Sequence, residues 1–413
     1  MHVMLRTAKA AMVLGIVLAV WGVTAATAEA GASLLAAAGT VSSPWNQTNY
    51  NAAQSRANVT EQALTRATAS KIRHLRSVTA PPISDNGCFT GPAVVAPVLT
   101  GGSLYAVTGG RLTRYNATTG SIIWRHNPDR FFSTNYTSLG VAQGLVVVGE
   151  VGCDSVSDPN GFIQAFSAAT GALVWSQPIT PAGGALSQLV IFNGYVVAAG
   201  TTPGGGQPVS VHKLTTGALI WYRLPGQCAP GDVLVDAQVV VGYSCSATGA
   251  ERLVGSNLAT GARIWSRSGN WQLQRGDTAT TAGRHVFATN PSGSVVSLNP
   301  LTGQTQYALA SASDVLAVGG SQAYASCGIA VCAYNSATGS RQWRVNAGSG
   351  ALAAEAGGVL YLDNGSALNT ATGHTLTRLW TPSATAAWLV IGDGRIAAVT
   401  ASRVISLYGL PGY

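Results

Sequence analysis

The feature that most constrains this chain is a short unit, Thr-Gly, three residues, then an aromatic ring, met again and again along its length. Thr119-Gly120 leads to Trp124, Thr170-Gly171 to Trp175, Thr216-Gly217 to Trp221, Thr260-Gly261 to Trp265, and Thr338-Gly339 to Trp343. Thr302-Gly303 leads to Tyr307, a different ring in the same slot. A seventh copy, Thr372-Gly373, keeps the turn but has Thr377 in the ring position, with Trp380 three residues later. Successive glycines lie from 51 down to 34 residues apart, a period that signals a solenoid or a propeller.

Between the turns the chain alternates short strand-like runs with Gly-rich breaks. In the first repeat Ala93 to Leu99, Ser103 to Thr108, Arg111 to Asn116 and Ser121 to Arg125 read as four strands. Evenly spaced short strands with glycine turns indicate an all-β fold, and no stretch after Thr90 has helical periodicity. Glycine supplies the positive-φ position of the turn before each fourth strand. Four residues on, the ring can pack across to the neighbouring repeat, where its burial contributes roughly 1.5–3 kcal/mol. Trp124, Trp175, Trp221, Trp265, Tyr307 and Trp343 are therefore expected to be docking residues. The small Ala165, Ala333 and Ala367, five places before Thr, leave them room.

The signature Ala-x-x-x-x-Thr-Gly-x-x-x-Trp, complete from Ala165 to Trp175, resembles the tryptophan-docking repeat of the pyrroloquinoline-quinone (PQQ)-like β-propellers. That group includes quinoprotein alcohol dehydrogenases and the barrel-assembly lipoprotein propeller of Gram-negative outer membranes. The segment Trp45 to Leu75, with Asn51, Ser55, Asn58 and Leu75, also resembles the start of such proteins. The likeness covers residues 45–413 and implies a propeller of four-stranded blades. Seven Thr-Gly turns mark seven blades. Three strands after Trp380 (Ala386 to Gly392, Arg395 to Thr400, Arg403 to Tyr408) lack a fourth, and Ile72 to Thr79 is a lone strand at the other end. Joining them gives an eight-bladed β-propeller whose last blade is closed by an N-terminal strand, with seven blades as the alternative. Trp45 to Pro82 otherwise reads as an irregular cap, with a short helix over Thr60 to Ser70.

Residues 1–30 read as a secretory signal peptide. Arg6 and Lys9 precede the apolar run Met12 to Val23, and Ala28-Glu29-Ala30 is a small-x-small cleavage site. No Cys follows the apolar run, so lipid anchoring is not expected. Residues 31–44 read as a flexible leader. The expected location is secreted, or extracytoplasmic. The formal net charge is +8, and the basic side is nearly all Arg, which favours anionic partners. The charges are scattered, with no basic cluster and no recognition helix, so nucleic-acid binding is not expected. A monomer is.

An exported chain with six cysteines is expected to pair them. Cys327 and Cys332 flank a hairpin-sized gap, Cys228 and Cys245 enclose a strand-like run, and Cys88 with Cys153 is what remains. No C-x-x-C or His-Glu-x-x-His motif is present, and no metal site is assigned.

The loops between blades and those joining second to third strands share one face of a propeller. The distinctive residues there are Arg130, Phe131, Phe132, Asp154, Asp158, Trp271, Arg275 and Asp277, candidates for contact with a partner. The alternative is a PQQ-dependent dehydrogenase acting on alcohols or sugars. The resemblance would then imply Ca²⁺ held by Glu, Asn and Asp near the axis, a base Asp, and an adjacent Cys-Cys pair. That pair is absent, and the trimmed repeats leave no pocket-building insertions. The expectation is therefore a non-catalytic binding or scaffold module for a protein or cell-envelope polymer, with no cofactor.

Overall fold

Each of the seven Thr-Gly turns places its glycine at φ between 68° and 74°, the left-handed region that a side chain would strain. In the computed structural model, residues 42–79, 95–108, 111–126, 135–151, 161–180, 185–201, 208–223, 232–245, 251–277, 284–347, 352–381, 385–400 and 404–412 are described. They form eight sheets of four antiparallel strands, the blades of an eight-bladed β-propeller, and Ala57–Asn58 adds a short parallel fifth strand to the seventh. Blade 1 runs Val98–Thr100, Ser103–Thr108, Arg111–Asn116, Ile122–His126, and blades 2 to 7 repeat this order. Blade 8 is assembled from Ala386–Gly392, Arg395–Thr400 and Val404–Gly409, with Arg73–Thr79 added as the outermost strand. The N-terminal strand thus closes the ring.

Blades are fastened to one another at the Thr-Gly turns. The indole N–H of Trp124 donates to the Ala168 carbonyl (3.0 Å), Trp175 to Leu214 (2.9 Å), Trp221 to Leu258 (2.7 Å), Trp265 to Pro300 (2.7 Å) and Trp343 to Thr370 (2.7 Å). The Tyr307 hydroxyl donates to Ser336 in the same way. Every acceptor lies two residues before the next blade's threonine. The ring itself covers the next glycine, so closely that a Cβ at Gly171, Gly217, Gly261, Gly303, Gly339 or Gly373 would overlap it. Ala165 and Ala333 stand directly across from Trp175 and Trp343 in the strand register. Two blades depart from this pattern. Blade 7 lacks the ring at Thr377, and Trp380 instead packs at a tilt against Tyr408 of blade 8 (centroids 5.3 Å). In blade 8 the docking ring is replaced by Arg76, whose side chain lies over Gly120 and donates to the Thr119 carbonyl.

Residues 43–58 are not a cap. They run along the inside of the ring as a belt that meets the innermost strand of each blade in turn. Trp45 exchanges backbone hydrogen bonds with Leu99 of blade 1, and Asn46 and Thr48 bond Val141 and Leu139 of blade 2. The Gln47 amide takes both backbone groups of Ile191 in blade 3 (2.7 and 3.0 Å). The carbonyls of Ala52, Ala53, Ser55 and Arg56 then accept from Val235, Gly276, Val318 and Glu355, one each in blades 4 to 7. Asn58 finishes the circuit, donating to Ile391 of blade 8 and to the Ser43 carbonyl, each at 2.8 Å. The belt therefore satisfies backbone groups on inner strand edges that would otherwise lie open.

The expected helix over Thr60 to Ser70 is replaced by turns, with only a single 3₁₀ turn at Ala69–Lys71. Side chains take the backbone groups a helix would use. Glu61 Oε1 accepts from the Ala63 and Leu64 amides, and Thr68 Oγ1 bonds the Thr65 amide and the Ala63 carbonyl. Glu61 Oε2 also ties this turn to the belt, accepting from Ser43 Oγ (2.6 Å) and the Gly394 amide.

Cys327 and Cys332 are disulfide-bonded across the blade 6 hairpin. The pairs Cys88–Cys153 and Cys228–Cys245 lie outside the described residues, Cys245 being described only in its backbone, as do the signal segment and nearly all of the leader.

Candidate functional site

The belt and the inner strands together line the axial opening. Four charged groups converge there. Arg275 sits where the first strand of blade 5 breaks register, and donates to the carbonyls of Gln54 in the belt and Val315 in blade 6 (both 3.2 Å). Arg56, on the belt, is oriented by Asn49 (2.7 Å). Asp232 precedes the first strand of blade 4, and Asp314 begins that of blade 6. Both carboxylates keep open surface, yet Asp232 is walled in enough that burial raises its pKa, opposed by Arg275 and Arg56. Burial lowers Arg275, against the pull of Asp314 and Asp232, and holds Arg56 well below the usual guanidinium range, Arg275 adding to the effect. Among the described residues none of the four is in an ion pair, and that contact is made by Arg284 and Asp236 (2.6 Å). Two cations and two anions thus lie near enough to act on one another without forming an ion pair among the described residues.

Beside Arg56, whose carbonyl accepts from its amide, the innermost strand of blade 7 carries a buried acid. Glu355 pairs with Ala57 of the belt, accepts from the Gly358 amide through Oε1 (3.2 Å), and finds no partner for Oε2 among the described residues. Burial raises its pKa to about 7. The neighbouring Tyr361 hydroxyl is likewise buried without a partner among the described residues, and burial with the Glu61 and Glu355 charges pushes its pKa up.

Of the residues singled out from the sequence, Arg275 lines the opening. Asp277 is buried at the end of the same strand, opposite His285. Trp271 is 5% exposed, donates to the Ser268 carbonyl (3.0 Å), and has the Arg267 guanidinium over its ring (5.1 Å). Arg130, Phe131, Phe132, Asp154 and Asp158 lie outside the described residues. His212, beside a repeat turn, is buried between the Gly217 carbonyl and Ser210, and burial lowers its pKa. Sequence reasoning missed Arg56, Asp232, Asp314 and Glu355. A signal was available in Gly140, Gly276, Gly319 and Gly392: each lies in an innermost strand at negative φ, where a Cβ would press on Gln47, Ala53, Ala57 or the backbone of Ser43 and Trp45. Glycine in such a strand marks close approach of another backbone.

Calcium needs six to eight oxygen ligands. Among the described residues no three His, Cys, Asp or Glu side chains converge on a metal-sized gap, and Asp232 and Asp314 share their opening with two guanidinium groups. The described residues do not fit the calcium that a quinoprotein site requires.

Comparison with known proteins gives one family, "Outer membrane protein assembly factor BamB", matching residues 62–205 and 159–318. No curated protein matches the chain. Among solved structures, BamB from Moraxella catarrhalis is similar at 18% identity and TM-score 0.56, covering 83% of this chain and 98% of that one. Quinohemoprotein alcohol dehydrogenase from Comamonas testosteroni is similar at 14% identity and TM-score 0.62, over 90% and 81%. The computationally designed Ika8 protein is similar at 14% identity and TM-score 0.61, over 82% and 99%. At these identities the likeness is one of fold, shared by an assembly factor, an enzyme and a designed protein.

Proposed function

The chain belongs to the PQQ-repeat β-propeller family described as outer membrane protein assembly factor BamB, and from that premise we propose that it is an exported, non-catalytic binding module that holds a protein partner at its axial face. The observation that carries this reading is the make-up of the opening. Its wall is the chain's own belt, and the charges facing it are balanced, Arg56 and Arg275 against Asp232 and Asp314. Charges of both signs held on one frame without an ion pair among the described residues suit recognition of a polar surface, because opposite charges on the partner can complete them when the complex forms. The family's description as an assembly factor points to a protein rather than a small molecule as that partner. A cell-envelope polymer is the second candidate for the same face, and no described helix is long and apolar enough to cross a membrane.

A photo-crosslinker at Asp314 or Asp232 is the test. The expected outcome is one discrete crosslinked protein in envelope fractions, lost when Arg275 is replaced by Ala. Calorimetric titration with PQQ and Ca²⁺, followed by dye reduction on alcohols and sugars, is expected to give neither binding nor turnover. One-to-one binding with turnover would overturn the reading in favour of a quinoprotein dehydrogenase. For export, N-terminal sequencing of the extracytoplasmic protein is expected to begin at Gly31.

A further inference from the structure

The outer strands of the blades differ from one part of the ring to another. In blades 1 and 2 the two residues before the docking tryptophan are exposed aliphatics: Ile122 and Ile123 (48% and 44% exposed), then Leu173 and Val174 (52% and 51%). Blade 3 exposes Leu219 and Tyr222, and blade 4 exposes Ile264. The same slots in blades 5 and 6 hold Thr305-Gln306 and Arg341-Gln342. Docking makes the apolar positions neighbours. Trp124 covers Gly171, two residues from Leu173, Trp175 covers Gly217, two residues from Leu219, and Trp221 covers Gly261, three residues from Ile264. Exposed apolar side chains thus recur at the same level on four successive blades, unlike the scattered single aliphatics normal on a surface.

Charge is segregated across the same blades. No outer strand carries an aspartate or glutamate, while those of blades 1, 3, 4, 6, 7 and 8 each carry arginine. Apart from Glu251, at the start of blade 4's third strand, the acids of the described blades sit on the first two strands or their ends. The outer strands are therefore free of acid and positive on six of the eight blades, blades 2 and 5 being neutral, and over blades 1–4 they are also apolar.

We propose that the rim of blades 1–4 rests on an anionic lipid surface. Arginine beside exposed aliphatics and half-buried tryptophan is the composition that an anionic headgroup layer over an acyl boundary attracts. An acidic peptide adding itself as a fifth strand fits less well. Each of these outer strands has a register break, skipping the exposed Ile123, Val174 and Ile264 in blades 1, 2 and 4 and the half-buried Ile220 in blade 3. A bulged edge is a poor template for another strand, whereas a fluid apolar layer needs no register. This surface is separate from the axial face, so the two proposals stand or fall independently.

The test is co-sedimentation of the purified protein with phosphatidylglycerol-containing vesicles and with pure phosphatidylcholine vesicles. Binding is expected to be stronger to the anionic vesicles and to fall as salt rises. The triple variant Ile122→Gln, Leu173→Gln, Leu219→Gln is expected to bind at least tenfold more weakly with an unchanged melting temperature, and Arg263→Gln about fivefold more weakly. Arg344→Gln in blade 6 is expected to change binding less than twofold. All variants share one N-terminal segment, so differences among them read the rim alone. Equal binding to both vesicle types overturns the proposal, as does a triple variant that binds like the parent. Competition by an acidic peptide that is abolished in the triple variant would assign the stripe to a protein instead, and would also overturn it.

Discussion

Every blade has two free edges, and the molecule treats them oppositely. The inner edges are sealed by the chain itself: residues 43–58 give a bond to each blade in order and close on Ser43 through Asn58. The outer edges carry no added strand, only docking contacts at one end, and are otherwise left to arginine and exposed aliphatics. Acids collect near the sealed edge, with Arg56 and Arg275 among them, while the outer strands carry arginine and no acid. The same four-stranded unit thus makes a cross-braced hub and an available rim, and strand sequence alone does not decide which edge serves which purpose.

The largest effect should come from removing a fastening between blades. Trp265→Ala deletes a ring 8% exposed, its cover over Gly303 and its bond to Pro300. It should lower unfolding free energy by about 3–5 kcal/mol in urea titration.

Glu355 tests the hub through pH. Its folded pKa is raised to about 7 from 4.5, so the native state holds the proton more tightly than the unfolded chain does. The stabilising term is complete below about pH 4.5 and is lost as pH rises through 7. Its full size is on the order of 3 kcal/mol. Unfolding free energy measured from pH 5 to 8 should slope downward in the parent and flatten in Glu355→Gln, the variant being the more stable at pH 8.

Gly392→Ala probes how tightly the belt is held. Its Cβ would lie 2.8 Å from the Trp45 amide nitrogen and 3.1 Å from the Ser43 carbonyl, all backbone with no side chain to yield. A loss of roughly 1–3 kcal/mol by thermal melting is expected.

The smallest effect belongs to the outer edge at the ring closure. Arg76→Ala removes a bond to the Thr119 carbonyl from an otherwise exposed turn, and should cost about 1 kcal/mol. An Arg76→Trp variant that recovers it would show that the arginine stands in for a docking ring.

The outer half of this comparison was legible in the sequence, and the inner half was not. The Thr-Gly turns gave the blade count because a positive-φ glycine and a ring at a fixed offset are local demands. The lone strand near Thr79 was assigned to blade 8 because three C-terminal strands needed a fourth. The belt has no such periodicity. Its bonds fall at Trp45, Gln47, Ala52, Ala53, Ser55 and Arg56, spaced by the circumference of the ring rather than by a strand or helix repeat. Positive φ at Asn49, Tyr50, Gln54 and Arg56 bends it in ways that residue type does not announce. Arg56, Asp232, Asp314 and Glu355 come together only because blades distant in sequence meet at the axis.

Amide hydrogen exchange at Val235, Gly276, Val318 and Glu355, whose N–H groups donate to the belt, tests the sealed hub most directly. If the belt is an integral part of the ring, the four amides exchange together, at the free energy of global unfolding. Fast exchange of these four while second-strand amides stay protected would mean that the belt lifts away by itself, and the account of a sealed inner edge would be wrong.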